Sequence, residues 1–259
     1  MNYKQLLAVA AAGMVATAAE ASLSLSYQFN GLGNWTLDGV GSNSTPVGQL
    51  SISVPNGSTV EKAFLYSSGT PNSSVNSVDF DGTVLTSGDF TALCSTTFGS
   101  QAFRADVTSL VSSKVGSGGG AFSFDIFSES PNSGLDGEVL AVVYSNPAES
   151  LRTIAFLDGA SDTDGDSFSF STANPMDPSV SGFEALLSLG IGYGFQPSAT
   201  TNTQYSQVDV NGRLLTTSAG GYDDGGGFNG GLITVGGEGD SPTNPDITLT
   251  GGDDELYNL

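Results

Sequence analysis

The chain has 259 residues, 38% of them hydrophobic, and 27 Asp and Glu against 6 Lys and Arg give a formal net charge of −21. Histidine is absent and cysteine occurs once, which excludes Ser-His-Asp and Cys-His catalysis, zinc sites built from His and Cys, and an internal disulfide. The negative charge opposes binding to nucleic acid and anionic lipid. The enzyme classes that remain use carboxylates, hydroxyl groups or lysine.

The first 21 residues have the layout of a secretory signal peptide. Lys4 supplies a positive start, residues 6–19 form an uncharged apolar run, and Ala19-Glu20-Ala21 matches a cleavage site. The run is shorter than the roughly 20 apolar residues of a membrane span, and no other stretch is long and apolar enough. We therefore expect residues 1–21 to be removed, and an exported mature chain, extracellular or on a bacterial cell surface, with no membrane span.

Short apolar runs, mostly of period two, predict strands along the first half of the chain. They lie at residues 23–29, 50–54, 60–66, 103–107, 122–126, 139–144 and 153–157. The unbroken apolar run at 139–144 is typical of a central strand covered on both faces. The Gly- and Asn-rich stretch at 30–45, which contains Trp35, predicts a loop, and residues 108–114 predict one helical turn. No long segment has helical periodicity, so the predicted fold class is all-β.

One hairpin pattern occurs twice, at residues 78–87 and 208–217, with five of ten positions identical. The centres are Asp81-Gly82 and Asn211-Gly212, dipeptides that favour a type I′ turn because both central residues need positive φ. Asp79 and its equivalent Asp209 are expected to accept backbone N–H bonds at the turn rather than to catalyse. The repetition indicates that the chain contains two copies of one structural unit.

We therefore predict two related jelly-roll or β-sandwich modules, at residues 22–178 and 179–259. Residues 187–195 alternate large apolar side chains with Ser and Gly, so one strand face is nearly bare backbone. A packed strand or helix, which we favour, or a flat ligand such as a glycan must lie against it. The second copy lacks counterparts of the last two strands of the first. We expect it to be truncated; the alternative is an open module completed by another copy or a partner.

The densest group of oxygen ligands lies on one Gly-containing acidic loop. Asp158, Asp162, Asp164 and Asp166 are candidate ligands for Ca²⁺, which accepts six to eight oxygens in irregular geometry. The last three match the spacing at the start of an EF-hand, but Ser167 replaces the expected Gly and the distal Glu is missing. The alternative is a solvated turn that uses Asp and Gly for their backbone preferences.

Carboxylate pairs could also serve glycoside hydrolysis, which needs two acids about 5–10 Å apart. Asp125 with Glu129, and Asp136 with Glu138, are candidates, and neither pair stands out among so many acids. No catalytic residue is therefore predicted, and an enzyme is the minority hypothesis.

Three segments together resemble a known group of bacterial proteins. They are NWTLDGVG at 34–41, VEKAFLYSS at 60–68 and GEVLAVVYSNP at 137–147. The similarity is to uncharacterised exported proteins that often end in a PEP-CTERM tail, a Pro-Glu-Pro motif with a transmembrane segment and basic residues that exosortase processes. The tail is absent here. The resemblance implies export and, often, association with exopolysaccharide or biofilm matrix; it implies no reaction and no functional residues.

The predicted function is that of an exported, non-enzymatic surface or extracellular-matrix protein, with Ca²⁺ as the candidate stiffening cofactor. The expected partners are extracellular polysaccharide or other matrix and surface proteins. The alternative is a carbohydrate-active jelly roll, either a lectin-like binder or a carboxylate-dependent glycoside hydrolase. Aromatic residues on a concave face beside acids would favour that alternative, whereas buried aromatic residues would favour the structural role.

Overall fold

A computed structural model describes residues 23–41, 46–69, 74–75, 77–95, 101–128, 134–159, 167, 169, 177, 179–192, 208–216, 233–235 and 257–258. The strands are β1 Ser24–Gly41, β2 Val47–Val54, β3 Thr59–Gly69, β4 Ser77–Phe80, β5 Thr83–Thr86, β6 Phe90–Ser95, β7 Gln101–Asp106, β8 Gly120–Ser128, β9 Leu135–Ser145, β10 Leu151–Asp158, β11 Leu186–Leu187, β12 Leu189–Ile191, β13 Val208–Val210, β14 Arg213–Thr216, β15 Ile233–Val235 and β16 Tyr257–Asn258. One helix, α1 Thr108–Val115, follows β7. The all-β prediction is confirmed.

Two antiparallel sheets pack face to face around one main core. The first has six strands in the order β10-β1-β9-β3-β7-β6, and the second has four in the order β2-β8-β4-β5. Alternate side chains of facing strands fill the space between them, which is why Leu50 and Phe124 on one side and Leu65 and Leu140 on the other are almost fully buried. Burial of each such side chain stabilises the folded state by about 1.5–3 kcal/mol.

Strand β9 confirms the prediction of a covered central strand. It lies between β1 and β3 and pairs antiparallel with both. Val139, Ala141 and Val143 on one face, and Leu140 and Val142 on the other, are all buried. An unbroken apolar run is needed there because neither face of the strand meets water.

The loop predicted at residues 30–45 is wrong over 30–41, since β1 continues through Trp35 to Gly41. The glycines mark close approach rather than a turn. A Cβ on Gly33 would lie 2.3 Å from the carbonyl oxygen of Tyr144, and one on Gly31 would lie 2.8 Å from the ring of Phe29. Glycine occurs inside a strand where another group approaches its backbone closely, so this Gly-rich stretch forms a strand although its composition is typical of loops.

The long strand β1 has two partners in succession, and this curls the six-stranded sheet. Residues 24–32 pair with β10, and residues 33–41 pair with β9. In a flat sheet of this order, β10 and β7 would lie roughly 19 Å apart, four steps of about 4.8 Å. Asp158 at the end of β10 nevertheless forms an ion pair with Arg104 in β7. The edge strand β10 is therefore folded over the face of the sheet that points away from the main core, here called the outer face.

Both predicted hairpin turns are confirmed as left-handed at their two central residues. The φ angles are 54° and 81° at Asp81-Gly82, and 52° and 77° at Asn211-Gly212. Asp79 accepts the backbone N–H of Gly82 at 2.8 Å, the structural role expected for it. The first hairpin belongs to the four-stranded sheet, while β13 and β14 form a sheet of two strands. The wider relation between two modules stays a prediction.

Helix α1 confirms and extends the predicted helical turn. It spans eight residues and buries Val111 and Val115 against the main core. Among the residues that the structure describes, no helix is long and apolar enough to cross a membrane.

Candidate functional site

Asp158 ends β10 and is the one predicted calcium ligand within the described residues. Its side chain is only 8% exposed, and its Oδ2 accepts hydrogen bonds from the Arg104 guanidinium and, at 3.2 Å, from the Tyr66 hydroxyl. A cation bound by Asp158 would have to compete with Arg104 for the same oxygen. Asp162, Asp164 and Asp166 lie outside the described residues, so the proposed four-ligand loop is not tested. The described ranges contain no group of three acidic or Cys residues that could hold a metal ion.

Tyr66 serves this group as a hydrogen-bond donor. Burial, reinforced by the negative charge of Asp158, raises the pKa of the Tyr66 phenol well above its ordinary value of 10. The phenol therefore stays protonated and neutral throughout the physiological pH range. It can donate to Asp158, but it cannot act as a base or a phenolate nucleophile there.

Four aromatic rings pack beside the Asp158 group on the outer face of the six-stranded sheet. The ring centroid of Phe64 lies 6.2 Å from Tyr27, 6.2 Å from Phe156 and 6.0 Å from Tyr66. Tyr27 and Phe156 come from the β1–β10 ribbon, while Phe64 and Tyr66 come from β3. The rings fill the space that the curl creates, and two of them, Tyr66 and Phe156, pack against a small second core of Leu37, Val139 and Ala141.

Two cations lie over the same ring and are paired very differently. Arg104 lies 4.7 Å and Lys62 5.0 Å from the centroid of Phe64. Arg104 bonds to the buried Asp158, whereas Lys62 bonds at 2.5 Å to Asp106, whose side chain is 52% exposed. Attraction in the first pair is strengthened by its dry surroundings, while solvent and salt weaken the second.

A second polar group joins residues 183–192, here called the strap, to the same sheet. The indole N–H of Trp35 donates to the hydroxyl of Ser188 at 2.9 Å. Arg152 donates to Glu149 at 3.0 Å on its own turn and to Glu184 of the strap, also at 3.0 Å. Arg152 thus bridges two carboxylates and links the strap to β10.

The bare face predicted for residues 187–195 is confirmed over 187–192, where a packed sheet lies against it, and residues 193–195 lie outside the described residues. A Cβ on Gly190 would lie 3.2 Å from Val139 in β9, and one on Gly192 would lie 1.6 Å from the hydroxyl of Ser68 in β3. Glycine is required at 192 because any side chain would overlap β3. Within the described part of the strap, the neighbour is protein rather than an external ligand.

The acid pairs considered for glycoside hydrolysis do not form an accessible site within the described residues. Glu138 is fully buried between the sheets, where its Oε1 accepts from Ser128 at 2.8 Å and Ser67 at 3.3 Å. No sugar can reach it without opening the core. Asp125 accepts from Gln49 at 2.8 Å on the solvent face of β8, and Glu129 lies outside the described residues.

Sequence reasoning did not single out Arg104, Tyr66 or Arg152, each of which depends on contacts between distant segments. A partial signal was available in Phe64 and Tyr66, which are two residues apart and therefore share a strand face. Nothing local connects either residue to Asp158, 92 positions from Tyr66.

The chemistry available to these groups is hydrogen bonding and charge pairing. In the part of the chain described, the Asp158 and Arg152 groups contain carboxylates already satisfied by cations, a neutral phenol and an indole N–H, and neither group contains a nucleophile beside a base. They bind segments of the protein to one another. Comparison of the chain with protein-family models, with curated proteins and with solved structures gives no match.

Proposed function

We propose that this chain is an exported, non-enzymatic β-sandwich protein of the cell surface or extracellular matrix, which acts by contact with polysaccharide or with other matrix proteins. The observation that carries the proposal is the engagement of Asp158 by both Arg104 and Tyr66. This charge pair, the most deeply buried in the described structure, joins β7 to β10, and neither of its two side chains is left free to act as an acid or a base. Its chemistry is that of a scaffold.

The positions of the aromatic residues support the same conclusion. Phe64, Phe80, Phe103 and Phe124 are buried, and Phe80 and Phe124 stack in the main core with centroids 5.1 Å apart. These rings contribute to stability rather than forming an open sugar-binding surface. Export is proposed from the signal-peptide pattern of residues 1–21 and from the resemblance to exosortase-sorted proteins.

Calcium remains part of the proposal as a stiffening cofactor of the acidic loop. Because Arg104 and Tyr66 occupy Asp158, the proposed ligands are Asp162, Asp164 and Asp166 with backbone carbonyls and water completing the shell. Asp158 then anchors the start of the loop to the sheet instead of binding the ion directly.

The test is co-sedimentation of the mature chain with insoluble polysaccharides, combined with an assay for released reducing sugar. Binding without release of sugar supports the proposal. Release of sugar at a rate that depends on protein concentration would favour the alternative, a carboxylate-dependent glycoside hydrolase. If neither binding nor release occurs with any polysaccharide, pull-down against matrix proteins tests the other proposed partner class.

A further inference from the structure

The strap runs across three neighbouring strands of the outer face. Ser188 lies at Trp35 in β1, Gly190 at Val139 in β9, and Gly192 at Ser68 in β3. In that order the strap contacts adjacent members of the sheet. It therefore covers the apolar centre of this face, where Leu37, Val139 and Ala141 form a small cluster with Trp35, Tyr66 and Phe156 packed around it.

The attachment of the strap is weak compared with the packing of the sandwich. Its described residues are half-buried or exposed, and its ladders are short: two residue pairs with β16 and three with β15. The Glu184 side chain that closes the link to Arg152 is 55% exposed. In contrast, the main core contains many side chains with no exposed surface. Local opening follows such differences, so we expect the strap to separate from the sheet before the sandwich unfolds.

The contacts that the strap makes are also those that a neutral sugar chain makes with a protein. Ser188 presents a hydroxyl to the indole N–H of Trp35, and Gly190 and Gly192 present flat surface without side chains to the sheet. A pyranose ring offers hydroxyl groups at its edge and a flat apolar face. Trp and Tyr are suited to such a ligand because they combine an apolar ring with a polar atom. The formal charge of −21 favours a neutral polymer over an anionic one.

We propose that residues 183–192 are a displaceable cover, and that a neutral polysaccharide binds to the Trp35 face when the cover opens. This inference rests on the proposed polysaccharide-binding function and adds its site and its control. Binding is reduced by the fraction of molecules whose strap is closed. Changes that loosen the strap therefore increase the apparent affinity, although they add no contact with the sugar.

Trp35 is the only tryptophan, so its fluorescence reports directly on the strap. Glu184→Gln removes the charge attraction to Arg152 and leaves only a neutral acceptor, and Gly192→Val places a side chain against Ser68. Both variants should shift Trp35 emission to longer wavelength and increase its quenching by acrylamide, while urea unfolding shows that the sandwich is intact. The matched control is Asp89→Asn, which neutralises an exposed carboxylate on the turn after β5.

The decisive measurement is titration of each variant with hydroxyethyl cellulose and dextran, with alginate as the anionic comparison. Glu184→Gln should bind the neutral polymers about 1.5- to 5-fold more tightly than the unmodified chain, the range expected from the loss of one exposed ion pair. Gly192→Val should bind at least as tightly, and Asp89→Asn should bind unchanged. Trp35→Ala should reduce binding in the Glu184→Gln background, whereas Phe127→Ala, which truncates an exposed aromatic on the other sheet, should not.

Two results would overturn the inference while leaving the proposed function in place. One is an open strap, seen by Trp35 fluorescence, with unchanged or weaker polysaccharide binding. The other is polysaccharide binding that depends on Phe127 and leaves Trp35 emission unchanged. Absence of binding by every variant would remove both this inference and polysaccharide as the partner of the proposed function.

Discussion

Replacing Arg104 and Lys62 by methionine tests whether the sheet is curled as described. Both cations lie over Phe64 and both pair with an aspartate, so the two variants lose similar chemistry. They differ in the partner left behind. Asp158 is 8% exposed, whereas Asp106 is 52% exposed. Methionine keeps most of the apolar stem, so the difference between the variants isolates the pairing.

The expected loss of stability is about 3–5 kcal/mol for Arg104→Met, because a buried carboxylate loses its counter-charge. For Lys62→Met it is at most about 1 kcal/mol, as for other exposed pairs. For a chain of this size, the first value lowers the unfolding midpoint by roughly 6–20 °C. Urea unfolding at pH 7, followed by circular dichroism, measures both. The added change Asp158→Asn should restore part of the loss in Arg104→Met, since it removes the unpaired charge.

Equal and small losses in the two variants would refute the reasoning. They would mean that Asp158 is solvated when its partner is removed. In that case β10 would not be folded across β7, and the outer face of the six-stranded sheet would be open.

Three further predictions concern single sites. Gly119→Ala should destabilise the protein far more than Gly82→Ala. Both glycines have positive φ, which costs alanine about 1–2 kcal/mol, but a Cβ at 119 would also lie 2.3 Å from the backbone nitrogen of Asn56, whereas Gly82 has open space around it. Urea unfolding midpoints of the two variants that agree within error would contradict this. Hydrogen bonds from the backbone N–H and then the hydroxyl of Thr86 lower the pKa of Asp89. The contribution of Asp89 to stability is therefore present above its unfolded-state pKa and is lost as the pH falls through its folded-state pKa. NMR titration should show a lowered pKa for Asp89 that rises in Thr86→Val, and a pKa unchanged by that substitution would count against the hydroxyl bond. If Ca²⁺ binds the acidic loop, EDTA should lower the thermal unfolding midpoint of the chain but not that of Asp164→Asn. A ligand present at 100 times its Kd stabilises the folded state by about 2.7 kcal/mol, and EDTA removes that contribution. An identical midpoint with and without EDTA would exclude the ion.

Local patterns predicted the elements that depend on local chemistry. Asp-Gly and Asn-Gly predicted the left-handed turns because few other residues accept positive φ, and the apolar run at 139–144 predicted β9 because burial on both faces leaves no polar position. The glycine alternation at 188–192 also predicted a close neighbour correctly.

The same reasoning failed where residue type depends on a distant partner. Gly31 and Gly33 read as loop residues because their reason for being glycine lies in the Phe29 ring and, for Gly33, in the backbone of Tyr144. The ion pair of Asp158 with Arg104 was likewise not predicted, because it follows from a curl that no short window of sequence contains; the role of Asp158 toward Ca²⁺ stays a prediction. The burial of Glu138, one of the acids considered for a catalytic pair, was also beyond local sequence, since Ser67 and Ser128 that bond to it come from opposite sheets.

The double pairing of β1 has a consequence for how the polypeptide reaches its native state. Both partners of this strand come from residues 137–158, with paired residues from 96 (Gly41 with Gly137) to 134 (Ser24 with Asp158) positions apart, so β1 gains no ladder until residues 137–158 have been made. Contacts of such long sequence separation form slowly, because a large loop must close before any bond rewards it. We therefore expect β1 to be among the last strands to join the six-stranded sheet, after β3 and β7 have paired.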